Sequence, residues 1–491
     1  MTAKHFIILS NITEMPMFES LHNVITTLSD FLYQPFIVPL FLVAAGLFLS
    51  IRMGFPQIRL FVETLRVLNE KPVQGSGISS FGALMVSTAS RVGTGNIVGV
   101  SSAICMGGPG AVFWMWLIAV IGSASAFVES TLAQIYKRED LVTGHSYGGP
   151  SYYIQTALGQ RWLGIIFSVF ILLTYLVGYN LLASYNVQTS FSGYSFYSET
   201  KTPIIVGAGL AILFALCVFG GAKKLTKITS YLVPIMSITY IIVAIAVIVF
   251  NFTNIPSMFM TIFKDAFSFE AGAGGFAGSC IMYGIKRGLY SNEAGMGSAP
   301  NASASASVSH PVKQGLVQSL SVFIDTIVIC SATALMCLST SVTPSSENSG
   351  IPYVQASLHS VFGELGPVFI TVAILLFGFT TLIGNYYYTE GCLRFIMNRR
   401  PGKTVMTVFR IIASIIVFAG ALASAGFAWD SADLCQALMV VVNIPCILIL
   451  SPIAIKALKN YTEQRKQGKE PVYYAKECGV NQDTDFWNRL E

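Results

Sequence analysis

Apolar residues run along this chain in long unbroken stretches, without the half-polar alternation of water-soluble helices and strands. Eleven stretches, near 35-52, 79-104, 110-136, 162-190, 202-220, 228-251, 272-296, 313-340, 365-395, 406-427 and 433-457, each approach or exceed the roughly 20 residues that cross a bilayer. Continuous apolarity at that length predicts helices and argues against a barrel, whose strands are shorter and alternate. Residues 56-70 differ: Ile58, Leu60, Phe61, Leu65 and Leu68 lie among Arg59, Glu63, Arg66 and Glu70, predicting a short amphipathic helix along the inner interface. From about residue 458 the chain turns polar and mixed in charge, which predicts a tail at the cytoplasmic surface or partly disordered.

Polar residues inside the apolar stretches are few and patterned. Arg-x4-Asn-x2-Gly-x2-Ser-Ala occurs at Arg91, Asn96, Gly99, Ser102 and Ala103, and again 196 residues later at Arg287, Asn292, Gly295, Ser298 and Ala299. Transporters built from two structural repeats place their sites where one Gly-interrupted helix from each half meets the other. A chance match is the competing reading, since small residues also serve plain helix packing. With the first span set aside, the two patterned stretches are the first and sixth of the remaining ten. The expected fold is therefore all-α and membrane-integral, with one extra N-terminal helix and a five-plus-five core whose second half is inverted. This divides the chain into 1-78 (N-terminus, extra span, interfacial helix), 79-251 and 272-457 (the repeats), and 458-491 (tail).

Charge sets the orientation. Only 11% of residues are charged, against roughly 25% in soluble domains. Of the 29 Lys and Arg, 22 fall in alternate loops (52-78, 137-161, 221-227, 297-313, 394-409 and 456-491), which predicts an outside N-terminus and a cytoplasmic C-terminus in the plasma (inner) membrane. The net charge of +5 is this loop bias and gives no support for nucleic-acid binding. Residues 1-34 show no basic, apolar and small-residue succession, so no removable signal peptide is expected. The nine cysteines form no CxxC pair and the five histidines (His5, His22, His145, His310, His359) have no ligand spacing, which argues against a metal site or histidine-based catalysis. No GxxxxGK[ST] phosphate loop is present, so an ion gradient and not a nucleotide is the expected energy source. A channel filter and a paired hydrolase nucleophile are likewise missing from the pattern.

The chemistry concentrates at the two patterned stretches. Gly93 and Gly95 flank Thr94, and two glycines this close, each worth roughly 1 kcal/mol against Ala, predict an unwound turn. Backbone groups freed in hydrocarbon must be completed by protein, water or ligand. An amino acid suits them: N–H donors for its carboxylate, carbonyls for its ammonium group or for Na⁺. Among the ionisable residues in the spans, where charge is costly and usually paired or functional, Arg91, Arg287, Glu293 and Asp325 stand out first. The arginines either pair with Glu293, Asp325 or freed carbonyls, or touch substrate. Glu129 reads equally as a buried partner or as part of an ion path, and Tyr152, Tyr153 and Tyr386 to Tyr388 as interfacial anchors or as a gate.

The segments STASRVGTGNIVGV, GGPGAVFWMW, FVESTLAQIYK, GGPSYYI, RGLYSNEAGMGSAPNASASA, HPVKQGLVQSLSVFIDT and FTTLIG, spanning about 80-395, resemble the signatures of the alanine or glycine:cation symporter family, also called sodium:alanine symporters. The resemblance implies import of a small neutral amino acid with Na⁺, in some cases H⁺, on the inverted-repeat fold of the amino acid, polyamine and cation superfamily. It implies substrate contacts at Thr94, Gly95, Asn96, Gln188 and Thr381, and, resting as much on the repeat, at Ser291 and Asn292. A further likeness of VGTGN to the neurotransmitter:sodium symporters implies a sodium site made by the carbonyls of Ala89 and Val92 and the hydroxyls of Thr380 and Thr381; all-oxygen ligation suits a hard cation. A threonine pair in a membrane helix can instead simply bond back to its own carbonyls. One position departs from the family: Asn385 stands where Trp is usual, which implies a larger, more polar pocket suited to glutamine, serine or asparagine as well as alanine or glycine.

Overall fold

Helix forms wherever the sequence is continuously apolar, because hydrocarbon leaves backbone groups no partners but each other. The computed structural model describes residues 16-33, 37-73, 78-142, 144-220, 222-268, 276-482 and 484-487. The expected starts of two spans at 35 and 272, together with His5, Asp483 and Arg489, lie outside these residues. The elements are α1 (Pro16–Tyr33), α2 (Ile37–Met53), α3 (Pro56–Arg59), α4 (Phe61–Leu68), α5 (Ser80–Arg91), α6 (Val100–Gly107), α7 (Ala111–Ile135), α8 (Pro150–Leu158), α9 (Arg161–Ile171), α10 (Tyr179–Thr189), α11 (Lys201–Val218), α12 (Ala222–Phe250), α13 (Ile255–Ala266), α14 (Phe276–Asn292), α15 (Pro300–Ser303), α16 (Pro311–Val322), α17 (Ser331–Leu338), α18 (Ile351–Phe362), α19 (Leu365–Met397), α20 (Lys403–Ala421) and α21 (Ala425–Lys466). A two-stranded antiparallel ribbon, β1 (Arg138–Glu139) and β2 (Ser146–Tyr147), follows α7.

Among the described residues eight helices are long and apolar enough to cross a membrane, or nine if α1 and α2, bent by 41°, make one span. The stretches expected at 79-104 and 272-296 are not among them: the first is split between α5 and α6, and the described helix of the second, α14, is 17 residues long. Among the described residues three wide π-helical segments occur: Gly95–Gly99 between α5 and α6, Leu172–Gly178 between α9 and α10, and Phe323–Cys330 between α16 and α17. Such segments are rare and gather at functional sites. Two of the three lie at the candidate site described below.

Two expectations change. The amphipathic stretch 56-70 is broken at Leu60 into α3 and α4, and Thr64 and Val67 of α4 are buried. The tail, expected at the cytoplasmic surface or partly disordered, packs against the bundle over its described residues. Helix α21 runs on to Lys466, Glu470 accepts from Lys313 and Arg66 at 2.5 Å each, and the Trp487 indole donates to the Gln134 carbonyl at 2.8 Å. Lys137 is buried beneath the tail with its ammonium 4.6 and 5.1 Å from the ring centres of Phe486 and Trp487, and burial draws its pKa down to about 7. Polar composition left surface placement and partial disorder open, because it does not show that the few aromatic and acidic side chains of the tail have partners on the bundle.

Candidate substrate and cation site

The first interruption begins where α5 ends at Arg91. Val92 leaves the helical region at φ −74°, ψ 89°, and the chain re-enters helix at Thr94. Gly93 is required here: a β-carbon would lie 1.8 Å from Thr381 Oγ1. Asn96 closes the turn, accepting from the Gly93 N–H on Oδ1 at 2.8 Å, while Thr333 Oγ1 donates to its carbonyl at 2.7 Å. The second interruption follows α14, where Glu293, Gly295 and Gly297 all have positive φ, at 55°, 88° and 81°. A left-handed non-glycine costs about 1–2 kcal/mol. Here it swings the Glu293 carboxylate back to accept from Ser90 at 2.9 Å and Ser298 at 2.6 Å.

The two interruptions cross. Thr94 Oγ1 lies 3.0 Å from the Tyr290 hydroxyl, and a β-carbon on Gly95 would meet Ser291 Cα and the Tyr290 ring at 3.2 Å. Both residue pairs are separated by the 196 positions that separate the two motif copies, as are Ser123 and Ser319, joined by a 2.8 Å hydrogen bond. In each of these three pairs a residue touches the one 196 positions further along.

Asp325, fully buried on the wide turn between α16 and α17, ties the crossing together. Asn96 Nδ2 from the first interruption donates to its Oδ1 at 2.7 Å, and Ser291 Oγ at the second donates to its Oδ2 at 2.9 Å, as does Thr326. Asn292 donates to Thr326 at 3.2 Å and caps the Ala294 N–H at 3.0 Å, so it supports the break and not its open side. Glu129 is also fully buried. Its Oε1 accepts from Asn443 at 2.6 Å, Asn443 in turn holds the Gly295 carbonyl at 3.0 Å, and Oε2 has no hydrogen-bond partner. Glu129 and Asp325 stand at the same 196-residue spacing, in the similar tetrads Phe127-Val-Glu-Ser130 and Phe323-Ile-Asp-Thr326. That match is a signal the sequence carried and the motif reading passed over.

The arginines take different partners. Arg287 was expected to meet Glu293, Asp325 or carbonyls, but it forms a two-pronged pair with Asp433 of α21, at 3.0 and 3.2 Å, and stacks 4.0 Å above Trp429. Lys286 joins the same carboxylate at 2.9 Å. Asp433 escaped notice because it sits near the end of a stretch with no motif around it. Arg91 donates to the Gln318 carbonyl and Oε1 at 3.4 and 3.3 Å and pairs with no carboxylate within 4 Å, though its field reaches Glu129, Glu293 and Asp325. Its Nε and Nη2 have no hydrogen-bond partner among the described residues. The field of one guanidinium thus reaches three buried carboxylates.

Helix α19 forms the remaining wall. Thr381 bonds back to the Phe377 carbonyl at 2.9 Å, with its hydroxyl against Gly93. Thr380 bonds back to Leu376 and Phe377 and lies 3.7 Å from the Met236 sulfur, so the pair does not converge on one point. The backbone of Ala89 passes close to Gly384 of α19, where a β-carbon would lie 3.0 Å from its carbonyl carbon. Asn385 is fully buried, its Oδ1 3.0 Å from Ser90 Oγ and its Nδ2 donating to Asn180 at 3.0 Å. Gln188 donates to the Tyr197 hydroxyl at 2.6 Å, toward the following loop. Among the tyrosines, Tyr153 donates to Asn443 at 2.8 Å and Tyr388 is fully buried, positions unsuited to interfacial anchors.

A sequence profile of the sodium:alanine symporter family matches residues 18–475. The chain belongs to the sodium:alanine symporter family. Members similar to it include the amino-acid carrier protein AlsT of Bacillus subtilis, 44% identical over 467 residues covering 95% of this chain and 97% of that protein. The probable sodium/glutamine symporter GlnT of the same organism is 44% identical over 461 residues, covering 93% and 94%. The sodium/alanine symporter AgcS of Methanococcus maripaludis is 34% identical over 455 residues, covering 90% and 98%. In fold the chain is similar to the manganese transporter of Eremococcus coleocola, with a TM-score of 0.52 at 12% identity, covering 82% of this chain and 86% of that one. That likeness bears on the fold alone.

Proposed function

We propose that this family member is a secondary active symporter importing a small neutral amino acid with Na⁺ by alternating access. The observation that carries the reading is Asp325, held between the two interruptions by one donor from each. Three buried carboxylates within the field of a single arginine cannot all stay charged without compensation, because uncompensated buried charge costs several kcal/mol. A sodium ion, a substrate ammonium group or a proton relieves that cost. The cation therefore stabilises the crossing that also presents backbone groups to the amino acid, which couples the two without a phosphate donor.

In this reading the interrupted stretches at 79-104 and 272-296 are spans, the total is eleven, and the halves 79-251 and 272-457 are inverted repeats related by an axis at Gly95 and Ser291. Thr94, Gly95, Asn96 and Ser291 line the substrate side. The carbonyls of Ala89 and Val92 with the Thr381 hydroxyl make the sodium site, to which Thr380 contributes only after rotating from its present partners, as Gln188 does for the substrate. The N-terminus is outside and the C-terminus cytoplasmic. Asn385, with its carboxamide bonded to Ser90 and Asn180, favours a polar substrate side chain such as that of glutamine over alanine or glycine alone. The relative named for glutamine supports this choice. The test is uptake of a panel of labelled amino acids into proteoliposomes with and without an inward sodium gradient. Saturable, gradient-dependent uptake is expected; uptake indifferent to both Na⁺ and H⁺ gradients would overturn the symport reading.

A further inference from the structure

A cavity of about 350 Å³ opens between the start of α9 and the end of α19, away from the crossing. Five arginines line it, Arg138, Arg161, Arg394, Arg399 and Arg400, and no carboxylate does. Two are neutralised, Arg138 by Asp485 at 2.8 Å and Arg394 by Asp140 at 2.7 Å. Arg161 donates to neutral acceptors: Gln155 at 2.8 Å, the Phe395 carbonyl at 3.2 Å and Asn398 at 3.3 Å. Arg399 and Arg400 are exposed and form no ion pair within 4 Å among the described residues, although the field of Arg400 reaches Glu390. Guanidinium groups gathered this way repel one another and raise the local concentration of anions. Their planar forks fit the oxygens of a phosphate.

The cavity's surroundings decide which phosphate. Trp162, next to Arg161, is 61% exposed, and tryptophan at such a place marks the headgroup level of a bilayer. Down the same face of the helix, at helical spacing, Ile166, Val169 and Leu173 are 36%, 39% and 41% exposed. A soluble anion would use the arginines and leave this apolar track untouched, whereas a phospholipid uses both. The geometry points to a binding site for an anionic phospholipid, its phosphate held by Arg161, Arg399 and Arg400 and an acyl chain lying along the face from Trp162 to Leu173. Basic pockets between membrane helices bind such headgroups. The bound lipid braces the end of α19, the helix that carries Thr381 and Asn385 to the crossing. The inference needs the chain to span a bilayer and is independent of which solute it carries.

The test uses the full-length protein, purified in detergent and analysed by native mass spectrometry with phosphatidylglycerol or phosphatidylcholine of identical acyl chains, in the absence of Na⁺ and amino acid. Each arginine at an anionic headgroup is worth on the order of fivefold in affinity. R399Q/R400Q should therefore lose roughly 25-fold of the preference for phosphatidylglycerol, while R399K/R400K keeps most of it and W162A weakens both lipids alike. A monodisperse elution profile establishes that each variant is folded, and both substituted arginines are exposed. Unchanged preference in R399Q/R400Q overturns the proposal. So does displacement of phosphatidylglycerol by millimolar inorganic phosphate, which would mark a site for a soluble anion.

Discussion

Replacing Asn96 by Ala removes the side chain that both closes the first interruption and holds Asp325. Two costs follow from the geometry. Asp325 loses the 2.7 Å donor on Oδ1, one of its three side-chain donors, and a hydrogen bond to a charged group is worth about 1.5–3 kcal/mol. The Gly93 N–H, which donates to Asn96 Oδ1 at 2.8 Å, is left without that partner in a fully buried turn, for about 1–3 kcal/mol more. The sum, about 2.5–6 kcal/mol, falls on the conformation that presents the turn, and about 1.4 kcal/mol is a factor of ten. Sodium-driven uptake by Asn96→Ala in proteoliposomes should drop on the order of a hundredfold or more, with insertion into the membrane and the elution profile unchanged. The methyl group fits the space, so no packing clash confuses the result. Uptake within twofold of the wild type would mean that the Asn96–Asp325 bond does not hold the site, and the mechanism built on it would fall.

Other outcomes follow from the same geometry. Asp433→Asn leaves Arg287 and Lys286 buried without a carboxylate and should destabilise the fold by about 3–5 kcal/mol; an unchanged melting temperature would contradict the pairing. Asn385→Trp fills the carboxamide's place between Ser90 and Asn180 and should narrow competition toward alanine and glycine, which an unaltered competition profile excludes. His310, which caps α16 by accepting from the Val312 N–H at 3.2 Å, has its pKa lowered to about 3 by burial, with Lys313 adding to the shift and Asn460 opposing it. The unfolded chain therefore binds a proton first, so this contribution is complete above pH ~6.5 and declines by up to about 1.4 kcal/mol per pH unit as pH falls toward about 3. His310→Asn, which keeps a capping side chain, should flatten that slope between pH 7 and 5 in thermal unfolding; an identical slope refutes the assignment.

Sequence by itself determined the membrane character, the helical class, the two places where a helix must break and the family. Each of these is local: apolar length is fixed by the thickness of hydrocarbon, Gly93 and Gly95 weaken whichever helix contains them, and a repeated motif is visible at any separation. What the tertiary structure decided is who meets whom. Arg287 finds Asp433, 146 residues away, and not the nearer Glu293; Thr380 turns to Met236 while its neighbour Thr381 faces Gly93; the tail finds Lys313 and Gln134. Consecutive positions on a helix point about 100° apart, so adjacent hydroxyls face different neighbours. A buried charge, for its part, selects its counterion by three-dimensional proximity and desolvation, quantities that separation along the chain does not contain.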